Sequence, residues 1–279
     1  LEHATRVIDL ANELERRLDT GVGRQGSPVR QTRLNWLMRG QLYAAVGGQA
    51  AALRRIWDGA RDAGRAAATP EDGVALWTSG GAAALGLLTL PEPDTAAYAE
   101  YRRLTGRPAQ REVQALLALA RGDSGAARRA LAAPEPPWRG SEEPFPVWVR
   151  PLAALAHFRI GEYEAALRAV DEFDPFAFST SDFDMRWGLL PRVRLLRAAA
   201  YERLSRPDEA RREYRLVLEQ WRAADPSLRP YLNEAGRELA RLGEPAERLS
   251  ALGYQLSATP GVRGGRCEPP PPVGGRQQP

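Results

Sequence analysis

Five alanines in this chain are each followed four residues later by a bulky apolar residue: Ala52/Ile56, Ala97/Tyr101, Ala127/Leu131, Ala166/Val170 and Ala210/Tyr214. Four of the five also have a small residue five positions earlier, namely Gly47, Gly122, Gly161 and Ser205. Positions i and i+4 share one face of a helix, so each pair sets a small and a large side chain side by side. A small residue shortly upstream marks where a preceding helix stops. A helix, a turn and a second helix with a small inward face form the unit of a stacked helical-hairpin array. Such arrays bind other molecules far more often than they catalyse reactions.

A length of 279 residues suggests two domains. An array escapes that arithmetic, because each unit buries its face on its neighbours and the chain can lengthen without a second core. The apolar fraction of 43% suffices for a continuous core. The most apolar run, 80–90, is too short to span a bilayer and is stopped by Pro91 and Pro93. A single cysteine, Cys267, excludes an internal disulfide and a cysteine metal cluster. That usage fits a cytoplasmic protein and is compatible with the periplasm. The chain starts at Leu1 with no leader-like series, which reads as a fragment or processed region from which a signal or a kinase-sized domain could have been lost upstream. All 39 basic residues are arginine, a usage that follows from genome composition. The net charge of +4 is small for this length and gives little reason to expect a nucleic-acid partner.

Residues 3–19 form one amphipathic segment, with Val7, Leu10, Leu14 and Leu18 on a common face, and a Gly-rich link follows. The periodicity predicts hairpins at 31–46/48–64, 71–89/94–105, 109–121/124–133, 148–160/162–173 and 190–204/207–223. Two insertions break the series. The first, 134–147, carries five prolines; the second, 174–188, carries Phe176, Phe178, Phe183 and Trp187 among acidic residues. A last helix starts near Pro226, with Leu228, Leu232, Ala235, Leu239 and Leu242 in steps of four and three, and Gly243 closes it. The domain division is therefore 1–30 for the leading helix and link, 31–257 for the repeat domain, and 258–279 for a Pro/Gly-rich tail expected to be disordered.

Trp36-x3-Gly40-x2-Tyr43-x3-Gly47, followed by Ala52, Ile56 and Gly59, resembles the tetratricopeptide repeat (TPR) pattern. Trp77-x3-Gly81 repeats its opening, and His157-x3-Gly161-x-Tyr163-x2-Ala166 and Tyr201-x3-Ser205-x-Pro207-x2-Ala210 match its centre. The family's period is constant, whereas the alanine anchors here are 45, 30, 39 and 44 residues apart, so the repeats are degenerate. The resemblance implies an all-α, right-handed superhelix (solenoid) of about five hairpins. It implies a protein-interaction scaffold whose concave groove is lined by the first helix of each hairpin. Carried over residue by residue, the groove positions are Leu37, Gln41 and Ala44, then Trp148, Leu155 and Phe158, then Leu195, Ala199 and Glu202. That mostly apolar row implies a peptide or protein segment held by hydrophobic anchors. Gln41, Leu155 and Ala199 stand where some relatives carry the Lys/Asn set that grips a C-terminal carboxylate, which disfavours a chaperone-adaptor role. The stretch 195–242 also resembles repeats appended to bacterial signalling proteins, such as serine/threonine kinases and transcriptional regulators.

No catalytic residue, cofactor or metal ligand is expected. Gly21-Val22-Gly23-Arg24-Gln25-Gly26 spells a phosphate-loop motif, but a helix precedes it where a strand is required, and it reads as a linker. His3 falls in a frayed first turn, and His157 occupies a packing slot, so a histidine metal site is not expected. Asp182 and Asp184 open a calcium-loop-like run whose glycine position is Trp187. Arginine pairs at 16–17, 54–55, 102–103, 128–129 and 211–212 could form a basic track for nucleic acid. Acids one turn away, as in Glu13/Arg17, Glu209/Arg212 and Glu238/Arg241, favour a salt-bridged helix face instead. The rival to the scaffold is an enzyme whose cleft is lidded by 174–188.

Overall fold

The computed structural model describes residues 50–66, 80–106, 108–134, 146–171, 183–224 and 228–254. Among the described residues the chain is all-helical, with eleven helices and no strand. They are α1 (Ala50–Ala66), α2 (Gly81–Leu88), α3 (Thr95–Thr105), α4 (Arg111–Ala120), α5 (Ser124–Ala132) and α6 (Pro146–Ile160). After these come α7 (Tyr163–Asp171), α8 (Phe183–Arg203), α9 (Pro207–Gln220), α10 (Arg229–Arg241) and α11 (Ala246–Ala251). The tightest packing joins α4 with α5, α6 with α7, and α8 with α9. These are the third, fourth and fifth hairpins expected from the periodicity. Each then packs on the next: α4 and α5 meet α6, α6 and α7 meet α8, and α9 meets α10.

The turns between these helices share one construction. Gly122, Gly161, Ser205 and Gly243 all adopt the left-handed conformation. At each turn the N–H of that residue donates to the carbonyl three residues back: Leu119, Phe158, Glu202 and Ala240. The next N–H donates to the carbonyl five residues back, at Ala118, His157, Tyr201 and Leu239. Two of the carbonyls orphaned at each helix end are thereby satisfied within the turn itself. The residue after the left-handed one then accepts, through its own carbonyl, the N–H of the anchor alanine: Asp123 from Ala127, Glu162 from Ala166, and Arg206 from Ala210. Those three alanines are essentially wholly buried. The spacing of five residues between glycine and alanine is thus the spacing that starts the second helix with its smallest side chain at the crossing.

Ser205 departs from glycine in this set, at φ 58°. A side chain in that region costs about 1 kcal/mol, partly offset by the extra unfolded-state freedom of glycine. Ser205→Gly is therefore expected to raise the unfolding free energy by about 0.5–1 kcal/mol, read from the urea midpoint. A lowered midpoint would contradict the shared turn geometry.

Two apolar cores result. The larger runs from Leu53 and Trp57 through Leu88, Tyr98, Leu116 and Leu152 to Val170, and takes in Leu190, Val193 and Trp221. The smaller gathers Leu195, Ala198, Ala210, Tyr214, Val217, Leu218, Ala235, Leu239 and Leu249. Helix α8 belongs to both. It also begins at Phe183, so residues 183–188, expected as insertion, are helical. Gly188 and Pro191 suggest a break in the sequence, but Leu190 and Val193 are buried in the larger core, and that packing carries the helix through the proline. The predicted leading helix, the Gly-rich link, the first helix of the first hairpin, most of 134–147, 174–182 and the tail lie outside the described residues.

Candidate interaction surface

The predicted groove row can be followed on α6 and α8. Leu37, Gln41 and Ala44 lie outside the described residues, and Trp148 is the third residue of α6. Leu155 is half-buried and packs against the larger core. Phe158 is half-buried and meets the Tyr163 ring edge to face, with centroids 5.4 Å apart at 63°. These two rings brace the α6–α7 turn from outside the core while keeping part of their surface in water.

On α8 the row turns inward. Leu195 is 9% exposed and belongs to the smaller core. Ala199 is half-buried. Glu202 accepts a hydrogen bond from the Tyr214 hydroxyl at 2.8 Å and pairs with Arg241 of α10, which also holds Glu238 at 2.5 Å. Burial, reinforced by the negative charges of Glu238 and Glu234, pushes the Tyr214 phenol up, so it stays protonated and donates. Glu202 is thus a structural tie between the fifth hairpin and α10. Leu155, Phe158 and Ala199 are, like Glu202, half-buried.

Arginines stitch the hairpins together. Arg128 of α5 reaches Glu162 at the next turn at 2.7 Å, and His157 Nδ1 lies 2.9 Å from the same carboxylate. The Arg128 hydrogen bond first, then that of His157, holds the Glu162 carboxyl below its ordinary range. His157 thus sits in a turn-stabilising role. Arg197 of α8 bonds Asp171 of α7 at 2.9 Å and Glu213 of α9 at 3.1 Å, and Arg194 joins Glu213 at 2.8 Å. Arg211 donates to the Leu242 carbonyl at 2.6 Å, and Arg215 holds the buried Glu244.

The arginine pairs of the sequence divide accordingly. Arg54, Arg128 and Arg211 cross to Asp94, Glu162 and the Leu242 carbonyl, respectively, while Arg55, Arg129 and Arg212 stand exposed. The expected Glu238/Arg241 pair forms, but Glu209 pairs with Arg206 at 2.8 Å instead of with Arg212. Residues 16–17 and the 21–26 glycine motif lie outside the described residues. So does Asp182, while Asp184 falls in the first turn of α8. Among the described residues, no three His, Cys, Asp or Glu side chains are arranged to hold a metal ion. No described helix is long and apolar enough to cross a membrane.

Sequence reasoning missed Arg159. From α6, one turn beyond Leu155, its Nη2 donates to the carbonyls of Thr89 at 3.1 Å and Leu90 at 2.9 Å. Backbone acceptors leave no trace in a sequence, so no residue pattern could have named this partner.

No protein-family model matches the chain, and neither a curated protein nor a solved structure matches it.

Proposed function

We propose that this chain is a non-catalytic, TPR-like helical-repeat scaffold that binds a peptide or protein segment along the first helices of its hairpins. The observation that carries the reading is the turn repeated at 122, 161, 205 and 243, with the same backbone hydrogen bonds each time. Identical turns within successive hairpins that each pack on the next are the construction of a helical-hairpin array. In this reading α4, α6 and α8 lie in series along one surface. The half-open Leu155, Phe158 and Ala199 then supply the apolar anchor points for an extended or helical ligand. The same reading makes the array the accessory region of a larger bacterial signalling protein, as the resemblance of 195–242 implies.

Selection of a displayed library of short peptides on the full chain tests the proposal. Enriched sequences should carry bulky apolar residues and bind with about micromolar Kd, near −8 kcal/mol. Phe158→Ala and Ala199→Arg should each weaken binding about tenfold, or about 1.4 kcal/mol, while Arg222→Leu leaves it unchanged. Failure to enrich any sequence, or peptides indifferent to both groove substitutions, would overturn the assignment.

A further inference from the structure

We infer that α1–α3 move as one body and that Arg159 latches this body onto α6. The three helices pack on one another. Arg54 pairs with Asp94 beside the start of α3, and Arg65 pairs with Glu100 within it, so ion pairs also tie α1 to α3. Every later junction joins helices in close contact, whereas α3 and α4, although consecutive, pack sparsely. A strong tie across this gap comes instead from α6, which reaches past the α4–α5 hairpin through Arg159.

The carbonyl accounting at the end of α2 explains why an arginine does this. The Leu85 and Gly86 carbonyls accept the Thr89 N–H, and Gly86 also accepts the Thr89 hydroxyl at 2.7 Å. Leu87 accepts the Asp94 N–H at 3.2 Å. Arg159 takes the Thr89 and Leu90 carbonyls, both with one nitrogen. The guanidinium also lies at the negative end of the α2 dipole. Thr89 is only 6% exposed with Arg159 in place, so withdrawal of the guanidinium leaves its carbonyl in need of a new partner. Loss of the contact therefore favours an opening that admits water to the Thr89 and Leu90 carbonyls.

The residues that lead out of α3 and into α4 are fixed to their own helices. Gly106, left-handed at φ 66°, closes α3 by donating its N–H to the Arg102 carbonyl. On the other side Ala109 is buried, and its carbonyl accepts from Gln114 of α4 at 2.7 Å. Buried residues of α1–α3 and of α4–α7 belong to one apolar cluster, so opening exposes apolar surface and the closed state dominates. Opening is then a minor excursion, suited to hydrogen exchange as the readout.

Hydrogen exchange by mass spectrometry on the full chain tests this. Arg159→Leu should speed exchange across α2 and α3 together by about tenfold while leaving α8–α10 unchanged, and Arg159→Lys should restore part of the protection. Acceleration spread equally over α8–α10 would mean general destabilisation and would overturn the latch, as would unchanged exchange in α2 and α3. Native-state exchange of the wild type in rising urea gives a measurement that needs no variant. The α2 and α3 amides should open as a unit at a lower free energy than those of α8–α10, and a shared opening free energy would overturn the proposal.

Discussion

Ala210→Leu is expected to lower the unfolding free energy by about 1–3 kcal/mol. Ala210 is completely buried in the smaller core, one turn into α9, where α9 packs most tightly against α8. Its N–H is tied to the Arg206 carbonyl at 3.2 Å, so the backbone cannot retreat to make room without breaking the turn. Three added carbon atoms must therefore push α8 away or adopt a strained rotamer. Ala127→Leu and Ala166→Leu probe the same position in the preceding hairpins and are expected to behave alike, since both alanines are equally buried. Arg222→Leu, at an exposed position, should stay within about 0.5 kcal/mol of the wild type. Circular-dichroism melts in urea give all four values. An Ala210→Leu protein as stable as Arg222→Leu would refute the repeat register.

Arg215→Ala should destabilise the C-terminal end by about 2–3 kcal/mol. The Glu244 side chain is 2% exposed, and Arg215 meets it with two nitrogens, one at 3.0 Å. Removing the guanidinium leaves a carboxylate with little access to water, and Arg248 at 3.8 Å is too far and too exposed to replace it. The expected loss falls below the roughly 3–5 kcal/mol of a deeply buried pair because Arg215 is itself about one-third exposed. Arg215→Ala/Glu244→Ala should recover part of the loss, since no charge is then stranded.

The pH dependence follows from the same pair. Hydrogen bonding from Arg215 holds the Glu244 carboxyl below its ordinary 4.5. The folded chain therefore binds this proton less readily than the unfolded one, and the pair's stabilisation is fully present above about pH 5. It is lost as pH falls through the depressed folded value. The stability gap between the wild type and Arg215→Ala should narrow across that acid range. A gap that widened on acidification would reverse the assigned sign.

The residues that made the fold legible were those whose local role is unique. A glycine or serine five positions before a buried alanine has few uses besides ending one helix and starting the next. The hairpins expected at 109–133 and 148–173, and the second helix of the fifth, expected at 207–223 and observed at Pro207–Gln220, were accordingly found close to their bounds. The start of α8 was not, because Gly188 and Pro191 are locally unfavourable to helix and only the burial of Leu190 and Val193 outweighs them. Of the residues expected in the groove, Leu155 and Phe158 on α6 keep some surface, whereas the surroundings of those on α8 were not legible in the sequence. There Leu195 is drawn into a core, and Glu202 is held by Tyr214 and Arg241, which are distant in sequence.

By itself the sequence determined the helices, their turns and the small crossings between paired helices, because each depends on residues within a few positions of one another. The tertiary structure alone decided which arginine ties which hairpin and how α2 is joined to α6. It also decided which faces of α6 and α8 stay open. Those outcomes rest on carbonyls, and on carboxylates many residues away, whose availability is settled only after the helices have packed.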